Sequence, residues 1–113
     1  MELDENTVME LIIYAGEARS GAMEALRAAR EHDWEKTEQM LSAASVAARK
    51  AHHIQTALIG ADEGRGKIPV NLILVHAQDH LMSAMLCRDL VEELVYLHRE
   101  LAALKQGDTV RGP

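Results

Sequence analysis

Between Leu72 and Leu86 an apolar run is interrupted by His76, Gln78, Asp79, His80 and Ser83. At about 100° per residue, His76, Asp79, His80 and Ser83 fall on one side of a helix. Imidazoles and carboxylates cost free energy in apolar surroundings unless they are paired or used. Three chemistries fit: a nucleophile, a metal site, or a polar core network. His76 and His80 stand i, i+4, a spacing at which two imidazoles can share a metal, with Asp79 between them as the Glu stands in H-x-x-E-H metallopeptidases. A catalytic zinc would need a third ligand, drawn from His32, His52, His53, His98 or a carboxylate.

Other chemistry-bearing residues read more plainly. The segment Gly60 to Lys67 has the look of a phosphate-binding loop, yet Gly60 stands one residue too far from Gly66-Lys67. Ile68 also replaces the Ser or Thr that would bind magnesium, and no strand precedes the loop. It reads as a flexible turn. Cys87, a turn beyond Ser83, reads as a structural thiol, and the six Met as core filler. His52 and Gln55 lie near the end of a helix whose return through the glycine turn brings them toward the start of the next, making them candidate supporting groups for His76.

Three helices must position these residues. Val8, Leu11, Ile12, Ala15, Ala18, Ala22, Ala25, Leu26 and Ala29 set out a first helix over about 7–31. Asp33 is placed to cap a second over 34–59, striped by Met40, Leu41, Ala44, Ala47, Ala48, Ala51, Ile54 and Leu58. The third, about 70–104, opens at Pro69, and 106–113 reads as a disordered tail. Leu90, Leu94, Leu97 and Leu101 form the expected inward face of its second half. Its first half is apolar all round, with Leu74, Val75, Leu81, Met82 and Met85 opposite His76. Two partner helices cannot bury such a segment, so self-association in a closed homo-oligomer is expected. The fold class is all-α: an antiparallel three-helix bundle, up-down-up, occupying 1–105 as one domain.

Composition narrows the function. With 113 residues the chain supports one core. A net charge of −6 excludes a nucleic-acid partner and suits a basic protein partner. No apolar run reaches the ~18 residues of a membrane span. The acidic start Met1-Glu2-Leu3-Asp4-Glu5 is unlike a signal peptide, and one cysteine allows no internal disulfide, so a cytoplasmic location is expected.

The run Leu72 to Met82, with its His76-Ala77-Gln78-Asp79-His80-Leu81-Met82 string, resembles the active-site segment of enzyme IIA proteins of the lactose/cellobiose class of the sugar phosphotransferase system. Leu11 to Ser20, Ala51 to Thr56 and Asp62 to Lys67 are similar in order and spacing, so the resemblance covers about 7–104. It implies a homotrimeric phosphoryl carrier in which His76 accepts a phosphoryl group from HPr and passes it to a IIB protein or domain, during uptake of a sugar such as cellobiose, chitobiose or lactose. It further implies Asp79 near a threefold axis, where one divalent cation such as Mg2+ sits among three copies, and no organic cofactor. Gln78 and His80 would orient the phosphoryl group, Gln78 from a neighbouring subunit because it points away from His76 on its own helix. The rival readings are a metal-dependent helical-bundle protein using His76 and His80, and a non-catalytic helical adaptor.

Overall fold

The computed structural model describes the backbone of residues 5–111 and the side chains of 6–106. Three helices make up the fold: α1 (Glu5–Arg30), α2 (Trp34–Asp62) and α3 (Leu72–Arg111). No strand occurs among the described residues, and none of the helices described is long and apolar enough to cross a membrane.

Helix α1 lies between the other two and packs along both, whereas α2 and α3 touch each other over a much shorter stretch. Alanine makes this possible. Ala15, Ala18, Ala22, Ala25, Ala28 and Ala29 of α1 are buried, and α2 answers with Ala44, Ala47, Ala48 and Ala51. Small side chains let helix axes approach closely, so the core is thin and held by backbone proximity as much as by side-chain bulk. One cluster joins Val8 and Leu11 of α1 to Ile54 and Leu58 of α2 and to Leu74, Ala77 and Leu81 of α3. A second joins Ala22, Ala25 and Ala29 to Ala44, Val91 and Val95.

The connections follow local rules. Helix α1 ends with His32 in the left-handed region (φ 60°), its N–H donating to the Ala29 carbonyl while the Asp33 N–H donates to that of Ala28. This is the Schellman pattern, built on histidine where glycine is usual. Asp33 then caps α2, its carboxylate accepting from the Lys36 N–H at 3.1 Å. At the far end, α2 continues to Asp62, three residues past the expected stop, because Glu63 takes the left-handed capping position (φ 55°) that a glycine would ordinarily fill. Helix α3 starts at Leu72 rather than 70, since Asn71 is its cap: the side-chain oxygen accepts from the Leu74 N–H at 3.0 Å.

At about 1.5 Å per residue the 40-residue α3 runs some 60 Å, most of the molecule's 69 Å length. It extends past the expected end near 104, so 106–111, expected as disordered tail, have helical backbone, while 112 and 113 lie outside the described residues. The largest departure from expectation concerns its faces. Leu90, Leu94, Leu97 and Leu101 point away from the bundle, and Val91 and Val95 face inward instead. The compact valines fit against an alanine-lined partner that offers no hollow for leucine.

Two glycines on α1 test this close packing. A Cβ at Gly21 would meet the Ala44 Cβ at 3.3 Å and α2 backbone atoms at 3.4 Å, whereas one at Gly16 would meet only the His80 Nε2, at 3.6 Å. Alanine is favoured over glycine within a helix by about 1 kcal/mol. Gly16→Ala should therefore raise stability to chemical denaturation by about 0.5–1 kcal/mol, while Gly21→Ala should give a net loss of about 1 kcal/mol because α2 must shift to make room.

Candidate functional site

The motif residues separate into faces once α3 is docked. Ala77, Leu81 and Ala84 are buried against the bundle. His76 and His80 lie on the flank nearest α1; Gln78 and Met85 lie on the flank nearest α2. Val75, Asp79, Met82 and Leu86 point outward, away from both neighbours. Asp79 thus forms the outward edge of the polar face, while His80 forms its edge toward α1. Leu74 and Leu81, expected in an oligomer contact, belong to the monomer's own core.

The His76 and His80 rings stack with centroids 6.1 Å apart and planes 11° from parallel. His80 is half-buried, its Nε2 on the side of α1 where Gly16 lies and 3.6 Å from where a Cβ would stand, while His76 is exposed. A glycine within a long helix usually marks a close approach, and here the approaching group is an imidazole. Asp79 does not touch either ring, and among the described residues neither His76 nor His80 has a hydrogen-bond partner. The site thus presents an accessible imidazole beside a second imidazole that lies next to α1. Among the described residues no three His, Cys, Asp or Glu side chains gather into a metal-sized group. The reading in which His76 and His80 hold a catalytic metal loses its geometry.

Gln55 of α2 donates through its Nε2 to the Oε1 of Gln78, tying α2 to the motif on the flank opposite His76. His52 and His53 are exposed and line a separate cleft with Arg49 and Arg88. Within one subunit Gln78, Gln55 and His52 are thus not brought to His76.

Asp62 organises the glycine turn. Its carboxylate accepts from the Ile68 N–H at 2.9 Å and the Gly66 N–H at 3.3 Å. These amides are therefore not free to cradle a phosphate, which removes the phosphate-loop reading. The Glu63–Lys67 pair at 2.8 Å has both side chains half exposed and contributes at most about 0.5 kcal/mol. Beside the turn, Leu58, Ile59, Ile68, Val70 and Val75 line an apolar groove of about 590 Å³ with Asp62 and Asp79 at its edge. Asn71, Asp62 and Gly16 are the residues whose roles spacing alone did not reveal. Asn71 was open to detection as an Asn three residues before the first inward-facing leucine.

With this geometry in view, residues 6–99 match the family described as PTS system, Lactose/Cellobiose specific IIA subunit. The chain belongs to this family. It is 48% identical over 99 residues to the N,N'-diacetylchitobiose-specific EIIA component of Escherichia coli K12, covering 88% of this chain and 85% of that protein. It is 40% identical over 97 residues to the lichenan-specific enzyme IIA component of Bacillus subtilis, covering 86% and 88%. Among solved structures, the cellobiose-specific enzyme IIA of Bacillus anthracis superposes with a TM-score of 0.83 at 39% identity, over 91% of this chain and 94% of that one. The IIA(Chitobiose) of the E. coli IIA(Chitobiose)–HPr complex superposes with a TM-score of 0.77 at 46% identity, over 90% and 99%. As a IIA subunit, this chain is a phosphotransferase component.

Because Asp62 is the acceptor for two turn amides, Asp62→Ala should cost about 1–2 kcal/mol and accelerate hydrogen exchange at Gly66 and Ile68 without changing exchange along α1. Unchanged protection at those two amides would remove Asp62 from this role.

Proposed function

We propose that His76 of this IIA subunit accepts a phosphoryl group from HPr and passes it to a IIB protein or domain during cytoplasmic delivery of a di- or oligosaccharide of the cellobiose, chitobiose or lactose kind. The observation that carries this reading is the exposed His76 ring stacked with that of a half-buried His80 beside Gly16 of α1. A neutral imidazole nitrogen is a competent nucleophile toward phosphorus. One N–P bond forms as the donor's bond breaks, so no nucleotide or organic cofactor enters the step, and the protein's contribution is positioning and electrostatics. The apolar residues Ile59, Ile68 and Val70 beside the start of α3, with Asp62 among them, suit a donor with an apolar patch and basic surroundings.

The subunit is read as an up-down-up bundle, supported by the pairing of helix ends in the two core clusters. The homotrimer is supported by the outward face of α3. Val75, Asp79, Met82 and Leu86 alternate by four and three residues, the spacing of a coiled-coil seam, and Leu90, Leu94, Leu97, Leu101 and Leu104 extend it after a shift in phase. Leu86 is 61% and Met82 57% exposed in the single chain, a cost that a second and third copy would remove. Asp79 is the polar interruption of this seam. Three carboxylates gathered on an axis repel, and their hard oxygens suit one divalent cation such as Mg2+. In a closed ring the His76 flank of one copy meets the α2 flank of the next. Gln78, with its partner Gln55, and His52 would then reach a phosphoryl group on the neighbouring copy, while His80 orients it from within the same chain.

Incubation with phosphoenolpyruvate, enzyme I and HPr should add one acid-labile, base-stable phosphoryl group per chain, measured by intact mass. His76→Ala should abolish it with the fold retained. His80→Ala should still be modified on His76, about tenfold to hundredfold more slowly. Full modification of the His76→Ala protein would overturn the assignment.

In sedimentation, Leu86→Asp should favour monomer, whereas Leu81→Asp should unfold the chain because Leu81 is fully buried. Asp79→Leu should leave a trimer that no longer responds to EDTA. Dissociation of the Asp79→Leu protein would instead make Asp79 a required contact.

A further inference from the structure

A cavity of about 340 Å³ lies at the opposite end of the bundle from His76, where α3 runs on past the corner between α1 and α2. His32, Trp34, Ala102, Lys105 and Gln106 line it. At about 1.5 Å per residue, Ala102 stands roughly 40 Å along α3 from His76. Ala102 and Gln106 continue the inward side set by Val91 and Val95, whereas Leu97, Leu101 and Leu104 of the seam stand on the outer side. The proposed trimer therefore leaves this cavity open.

Its walls are prearranged. His32 holds the left-handed backbone (φ 60°) at which glycine would be less strained, and its ring stacks on that of Trp34 with centroids 5.6 Å apart and planes 11° from parallel. The Arg99 guanidinium also lies against the Trp34 ring, at 4.6 Å, and Glu38 offsets its charge. A strained residue whose ring is fixed beside a cavity is a mark of use rather than of stability. Every polar side chain of the lining can donate a hydrogen bond: the Trp34 indole, the His32 imidazole, the Lys105 ammonium and the Gln106 carboxamide. Among the described residues His32, Trp34 and Gln106 have no hydrogen-bond partner. No carboxylate lines the cavity, and Lys105 is the one fixed cation in its lining. One positive charge balances a monoanion, while a phosphate dianion would leave a charge uncompensated. Ala102 and the Trp34 ring add apolar surface, in a volume within the range of small-ligand sites. We propose that this cavity binds a small organic carboxylate with a flat apolar body, its carboxylate on Lys105, Gln106 and the His32 ring. Phosphoryl transfer at His76 plays no part in this chemistry.

Trp34 is the single tryptophan, so its fluorescence reports binding directly. The intact protein is titrated with benzoate, with benzamide as a neutral molecule of the same shape, and with inorganic phosphate, while amide chemical shifts are followed in parallel. Benzoate should change the fluorescence saturably and shift His32, Trp34, Ala102, Lys105 and Gln106, whereas benzamide and phosphate should bind about tenfold or more weakly. Lys105→Gln should weaken benzoate about tenfold or more, with Lys105→Arg keeping most of the affinity. His32→Gly, followed by chemical shift because it removes the stacked ring, should weaken benzoate yet leave the fold at least as stable to denaturant, which separates a ligand contact from a structural role. His76→Ala should bind benzoate as tightly as the unaltered chain. The proposal is overturned by a response that stays linear in concentration, by undiminished binding in Lys105→Gln or His32→Gly, by benzamide binding as tightly as benzoate, or by loss of binding in His76→Ala. Phosphate binding as tightly as benzoate would overturn the assignment to a carboxylate.

Discussion

The close approach of α1 to its two neighbours, permitted by alanine and glycine along its length, is the constraint on which the rest of the structure depends. With alanine at most of the buried positions of α1, that helix can serve as the shared core of both α2 and α3, and those two need little contact of their own. The same closeness sets the site. His80 lies beside Gly16 of α1, where an added Cβ would still only touch its Nε2 at 3.6 Å, and its ring lies stacked with that of the exposed His76. A thin core also consumes little of α3. In the second half of α3, Val91 and Val95 suffice to face the bundle, so its leucines are left on the outer side.

That outer side links fold to function. An apolar face of this size left uncovered in the single chain is the ground for the proposed trimer, in which copies of the same face would cover one another. The seam residues and the two histidines are interleaved on one helix, so any assembly through the seam fixes what stands beside His76. In the proposed trimer, polar groups held on the α2 flank, such as the bonded Gln55–Gln78 pair, would be supplied between copies rather than within one. At the opposite end, a cluster of Trp34 with Arg99 at 4.6 Å over its ring, and of Arg99 with Glu38, fastens α3 to the start of α2. It stabilises the long helix far from the motif and leaves the His76 end free for partners.

Much was written in the sequence by itself. The number of helices, the start of α2 at its Asp33 cap, the alanine stripes, and the motif from Leu72 to Met82 follow from local periodicity, capping chemistry and residue type. Helix ends were less legible, because His32 and Glu63 occupy left-handed positions where a glycine signal was expected, and because Asn71 rather than Pro69 starts α3. Tertiary structure alone decided which of two apolar stripes on α3 turns inward. Periodicity marks both Leu90-Leu94-Leu97-Leu101 and Val91-Val95, and only the shape of the opposing alanine surface selects the narrower one. The same docking turned Asp79 to the outer side of α3 and His80 toward α1, and set His52 apart from His76. Helical spacing fixes the angle between side chains on one helix, whereas the direction in which that helix is turned is set by packing against its neighbours.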